Sequence, residues 1–242
     1  TRRSSDLPLS DKIEHSRKLI QNQLQYLDTV KSRKIRMLSN FRLSQKAKAI
    51  LLTNALAEYQ IEYAKLLFDP RIMRAETTES RAMKLPYRIN FLKMALTPAS
   101  EFGALFSKNY PEAVIFKSAA KFYMMTAAQQ SLTSIYQIVQ GKVKGKLREK
   151  CLTIYLLTNH DRIDSSDKVF EEALLDIKDP LYRNLLTAIK ETVTPGTWAP
   201  DFTLPDDKAR FVKLSDYKGK VIFIDFWYTG CGHCAEYYQF QL

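Results

Sequence analysis

A Cys-x-x-Cys pair set directly behind an apolar run constrains this chain more than any other feature. Residues 221–234 read VIFIDFWYTGCGHC. Val221, Ile222, Phe223, Ile224 and Phe226 are β-branched or aromatic, which predicts a buried strand. Lys218-Gly219-Lys220 supplies a turn before it, and Tyr228-Thr229-Gly230 a loop after it. Cys231 then opens a helix in which Ala235, Glu236, Tyr237 and Tyr238 follow.

Strand, loop and helix together predict a reactive thiol. Free N–H groups and the positive end of the dipole at a helix N-terminus favour thiolate over thiol. A cysteine there has its pKa lowered from about 8.5 into the range of about 3.5–7.5. Cys234 is nearly one turn further on, so its sulfur can reach that of Cys231. In this reading Cys231 attacks a disulfide and Cys234 resolves the mixed disulfide. Asp225 interrupts the apolar run, and a carboxylate in a buried strand is costly without a partner or a task. Accepting the proton that Cys234 loses is such a task.

A Cys-x-x-Cys can also serve other roles. A zinc site needs a second pair, and only His233, His160 and Cys151 remain as soft ligands, irregularly spaced. Haem attachment needs His after the second cysteine, where Ala235 stands. A structural disulfide is the plainest alternative, and the strand–loop–helix setting argues against it.

Residues 195–234, PGTWAPDFTLPDDKARFVKLSDYKGKVIFIDFWYTGCGHC, resemble the start of a thioredoxin-like, TlpA/ResA-type envelope thiol-disulfide oxidoreductase. Gly196 and Ala199-Pro200-Asp201-Phe202 are similar to the opening segment of that family. Phe202-Thr203-Leu204 and Val212-Lys213-Leu214 resemble its added β-hairpin, and Asp225-Phe226-Trp227 the run before its active site. The resemblance implies thiol-disulfide exchange with protein substrates, with Cys231, Cys234, Asp225 and His233 as catalytic residues and no cofactor. It also implies a thioredoxin-like electron donor or acceptor, and a periplasmic or cell-envelope location. Gly230 replaces the tryptophan that often precedes the first cysteine. Gly232-His233 between the cysteines resembles protein disulfide isomerase rather than thioredoxin. About 90 mV separates those two enzymes, so His233 is expected to make the pair more oxidising, while the direction of electron flow stays open.

From Gly196 to Leu242 there are 47 residues, against roughly 100 or more for a typical domain. The remaining strands and the proline loop of the family are not in the sequence. The expected fold class is therefore a mainly α N-terminal domain, residues 1–194, followed by the beginning of an α/β thioredoxin-like domain, residues 195–242. Thr1–Leu242 by itself is expected to be inactive as a reductase. The alternative function is a non-catalytic helical module that binds a partner and carries a vestigial or incomplete redox segment.

The first part reads as helix after helix. Apolar periodicity predicts helices over 10–30, 45–68, 88–95, 127–139, 144–157, 167–177 and 181–193, and one opened by Pro111 and running through Phe122. Ser165-Ser166-Asp167 before Glu171 predicts a helix start. Residues 141–161 also resemble, loosely, a segment preceding thioredoxin-like domains in envelope proteins of the Bacteroidetes. Cys151 falls on an apolar helix face with Ile154 and Tyr155, which predicts a buried, inert thiol.

Charge is uneven. From Gly196 onward five Lys/Arg stand against six Asp/Glu, which leaves the helical part at +12 within a chain of +11. A solvated basic surface is the simpler reading, and association with an anionic membrane surface of the envelope the other. The basic residues are dispersed and no recognition motif occurs, which argues against nucleic acid. No run of residues reaches the 18 apolar positions of a transmembrane helix.

Overall fold

A computed structural model of the chain describes residues 8–69, 73, 76–126, 132–160, 168–193, 199, 201–224 and 228–229. The chain divides into two compact units, Thr1–Pro195 and Gly196–Leu242.

The described part of the first unit is helical throughout. Its elements are α1 (Leu9–Asn40), α2 (Gln45–Phe68), α3 (Thr78–Lys93), α4 (Glu101–Phe106), α5 (Tyr110–Thr126), α6 (Leu132–Lys142), α7 (Gly145–Asn159), α8 (Val169–Asp176) and α9 (Pro180–Val193). Capping explains several of the starts. Ala47 N–H donates to Ser44 Oγ at 3.2 Å, Ser80 N–H to Thr77 Oγ1 at 3.2 Å, and Gly103 N–H to Ser100 Oγ at 2.9 Å. Asp69 is extended, as the residue before a proline should be, and α2 stops there.

Three elements differ from expectation. α1 runs on to Asn40 rather than ending at Val30. No glycine or proline interrupts that stretch, and Lys34 is held by Glu58 of α2 at 2.6 Å. α3 begins at Thr78, ten residues before the expected start, and contains Pro86. An interior proline costs about 3 kcal/mol, which the burial of Met83, Arg88 and Phe91 in the same helix offsets. α4 was not expected at all. It exists because Gly103 lets it lie directly on α2: a Cβ at Gly103 would stand 2.5 Å from Thr53 Oγ1 and 2.7 Å from Ala49 O.

Two apolar clusters form the core. One gathers Ala113 and Val114 of α5, Ile135, Tyr136 and Val139 of α6, Cys151, Leu152, Tyr155 and Leu156 of α7, and residues of α8 and α9. The other joins α1 through Ile20 to Tyr63, Ala64, Leu67 and Phe68 of α2 and to Met83 and Phe91 of α3.

Cations, two of them buried, close the helix ends. Carbonyls of a last helical turn lack partners within the helix and carry the negative end of its dipole. Arg88 Nε and Nη2 donate to Leu67 O at the end of α2, at 3.0 and 2.8 Å. Lys117 donates to Phe91 O at 3.1 Å and to Met94 O at the end of α3. Lys150 reaches Leu105 O and Ser107 O at the end of α4, at 2.7 and 2.9 Å. Arg183 reaches Ile177 O after α8 at 3.1 Å. Part of the basic excess is therefore internal architecture.

The second unit opens with an antiparallel hairpin, β1 (Thr203–Pro205) and β2 (Phe211–Lys213), in the register Thr203↔Lys213, Leu204↔Val212 and Pro205↔Phe211. Asp206 makes its turn. One carboxylate oxygen accepts Lys208 N–H and Arg210 N–H, and the other Arg210 Nε, each at 2.9 Å. A 3-10 turn, Leu214–Tyr217, follows. The mainly α chain thus carries a small two-stranded sheet in its second unit, as the expected fold class has it.

Candidate active site

The described residues that precede the cysteine pair in the sequence are tied to one another. The Asp201 carboxylate accepts Ser215 N–H and Ser215 Oγ–H, both at 2.9 Å. These hydrogen bonds hold the Asp201 carboxyl below the usual carboxylate range. Leu214 N–H donates to Phe202 O at 3.0 Å, so both ends of the hairpin are fixed to the 3-10 turn. Asp216 accepts Lys213 N–H at 2.9 Å. Gly219 takes φ +81°, a left-handed conformation suited to glycine, and Lys220 N–H closes the turn onto Tyr217 O at 3.1 Å.

Residues 221–224 come next, and here the expectation of a buried strand is corrected. Val221, Ile222, Phe223 and Ile224 are exposed and belong to no β-ladder among the described residues. Ile222 and Ile224 line an open cleft of about 610 Å³ with Asp201, Ser215 and Tyr217. A β-run is buried only when neighbouring strands complete its ladder and its faces. Among the described residues, β1 and β2 pair with each other and with nothing else.

Asp225, Cys231, His233 and Cys234 lie outside the described residues. So does the start signal Ser165-Ser166-Asp167. The third cysteine is described. Cys151 is a free thiol, fully buried in the α5–α9 cluster. Burial pushes its pKa up to about 12, with Lys150 pulling slightly the other way. The thiolate is the nucleophile, so Cys151 is inert at neutral pH, as its apolar setting predicted. Among the described residues no group of His, Cys, Asp and Glu could hold a metal ion.

An ionic cluster in the helical unit escaped the sequence reading. Glu76 accepts Arg88 Nη2 on both carboxylate oxygens, at 3.0 and 2.9 Å, and Lys84 Nζ at 2.7 Å. The guanidinium of Arg88 also lies over the rings of Phe68 and Tyr123, 5.4 and 5.6 Å from their centroids. Nothing in the local sequence sets Arg88 apart from a surface arginine. Its one visible signal is its place on the Met83–Phe91 face of α3. It is a buried packing feature.

Residues 195–241 match the AhpC/TSA family. The thiol-disulfide oxidoreductase ResA of Bacillus subtilis (strain 168) is 39% identical over 58 residues, 24% of this chain and 32% of that protein. ResA of Geobacillus kaustophilus (strain HTA426) is 46% identical over 56 residues, 23% of this chain and 32% of that one. The chain therefore spans about a third of the length of the curated relatives it matches. No solved structure matches it. The described hairpin lies within the matched residues 195–241, and over this part the chain is similar to the thioredoxin-like thiol-disulfide oxidoreductases of the ResA type.

Proposed function

We propose that this chain takes part in thiol-disulfide exchange with protein substrates through Cys231-Gly232-His233-Cys234. The similarity to ResA proteins over the segment that contains this pair is the observation that carries the reading. The Cys231 thiolate attacks one sulfur of a substrate disulfide. A Cys231–substrate S–S bond forms and the substrate's own S–S bond breaks, releasing one substrate thiolate. Asp225 takes the proton of Cys234, and the Cys234 thiolate then attacks the Cys231 sulfur. The second substrate thiolate leaves, and two electrons have passed from the pair to the substrate. His233 favours the thiolate form of Cys231 and so makes the pair more oxidising. The reverse sequence, from a substrate dithiol to a Cys231–Cys234 disulfide, is the same chemistry run backwards.

A thioredoxin-like partner resets the pair, in the periplasm or cell envelope. Residues 1–194 act as a separate helical domain ahead of residues 195–242. Because residues 221–224 lack ladder partners among the described residues, Thr1–Leu242 alone should be inactive as a reductase in insulin turnover, while a single exchange at the pair needs no completed sheet. That feature also favours a second reading, in which the helical unit recruits a partner and the redox segment is incomplete by itself.

Trapping separates the two. Cys234→Ser should accumulate a mixed disulfide between Cys231 and a substrate protein, and Cys231→Ser should not. Equal trapping by both variants, or by neither, refutes the catalytic reading.

A further inference from the structure

We propose that the turn joining α1 and α2 docks on an anionic lipid bilayer. The inference concerns the helical unit and is independent of the chemistry proposed for the cysteine pair. From Thr29 to Ala57 the sequence contains no Asp or Glu and seven Lys/Arg. Two of these are neutralised within the unit, Lys31 by Asp28 and Lys34 by Glu58, each at 2.6 Å. The other five, Arg33, Arg36, Arg42, Lys46 and Lys48, are exposed and make no ion pair among the described residues. They differ in this from Arg88, Lys117 and Lys150, whose charged ends bond to carbonyls or a carboxylate within the unit.

Exposed apolar groups sit among these charges. Residues 39–46 are exposed without a break. Phe41 is 61% exposed, Met37 50% and Leu43 36%. Arg33, Arg36, Met37 and Asn40 follow the i, i+3, i+4, i+7 spacing of one helix face, and all four are exposed. The opposite side of the same stretch, with Ile35 and Leu38, is partly covered. The tip therefore presents cations and an apolar wedge together, on a helical hairpin already anchored through α2 to the core.

Charge complementarity selects an anionic partner, and the apolar wedge selects among anionic partners. A phosphate backbone would satisfy the arginines and lysines but leave Met37 and Leu43 in water, since neither is a flat ring on which a base stacks. A bilayer of anionic lipids takes both. Its headgroups meet the cations, and Phe41, Met37 and Leu43 enter the boundary between headgroups and acyl chains. Each Lys or Arg near such a surface contributes about fivefold in partitioning (about 1 kcal/mol).

The test is co-sedimentation of the full chain with vesicles of phosphatidylglycerol and phosphatidylcholine, and with vesicles of phosphatidylcholine alone. Binding is expected only to the first, with loss at 0.5 M salt. Arg36→Gln/Arg42→Gln should lower the partition coefficient more than tenfold, and Phe41→Ser several-fold. All three positions are exposed, and unchanged circular dichroism would show that the variants fold. Three results would each overturn the proposal: no binding to phosphatidylglycerol, equal binding to both vesicle types, or full binding by both variants. Tighter binding to a DNA oligonucleotide that Phe41→Ser leaves unchanged would also overturn it, in favour of a nucleic acid.

Discussion

Replacing Arg88 by methionine removes a charge from the interior while nearly keeping its volume. Arg88 is 1% exposed, and the Glu76 side chain it meets is also 1% exposed. The substitution leaves the Glu76 carboxylate buried with Lys84 as its remaining partner, and leaves Leu67 O without its donors. Breaking a buried ion pair from one side costs about 3–5 kcal/mol, because an uncompensated charge stays behind. A unit of this size loses about 2–4 °C of melting temperature per kcal/mol, so the loss should reach about 6–20 °C. Urea unfolding followed by far-UV circular dichroism measures it. The double variant Glu76→Gln/Arg88→Met removes the stranded charge and should recover a large part of the stability. If Arg88→Met stays within about 1 kcal/mol of the parent, or the two substitutions prove additive, the cluster is not a coupled buried network.

Two further outcomes follow from the geometry of the helical unit and a third from the spacing at the cysteine pair. Gly103→Ala places a Cβ against Thr53 Oγ1 and the Ala49 backbone, and should cost about 1–3 kcal/mol by overpacking, read in the same urea titration. Lys117 has its pKa lowered from 10.5 to about 8, first by burial and then by Lys142. Between those values the unfolded chain binds more protons than the folded one, so stability should rise with pH from about 8 to 10.5, by at most about 3 kcal/mol, and Lys117→Met should flatten that slope. Asp225→Asn should slow the second, resolving step of disulfide exchange in stopped-flow kinetics while leaving the first step and the melting temperature nearly unchanged.

What could be read from the sequence depended on where the determining contacts lie. α2 matched at both ends because its signals are local: the Ser44 cap at the start and Asp69-Pro70 at the stop. The hairpin of residues 203–213 was expected from the family resemblance, and the structure makes its turn with Asp206 within the segment itself. α4 was not, because six residues carry little periodicity and its position is set by Gly103 against α2, some fifty residues away in the chain. Arg88 and Lys117 were invisible for the same reason: their acceptors are carbonyls and a carboxylate of other segments. The apolar run at 221–224 promised burial, yet burial belongs to the ladder and not to the strand alone. The chemistry of Asp225, Cys231, His233 and Cys234 rests on their spacing and on the ResA similarity.

A glutathione redox titration, with alkylation and mass spectrometry at each point, tests the central claim most directly. The account predicts one reversible two-electron transition in which Cys231 and Cys234 form a disulfide with each other. Its potential should fall toward the oxidising end of the range between about −270 and −180 mV. Cys151, buried and with its pKa near 12, should stay an unmodified thiol until the helical unit unfolds. A main oxidised species containing Cys151, or a Cys231–Cys234 pair that cannot be reduced and re-formed across that range, would contradict it.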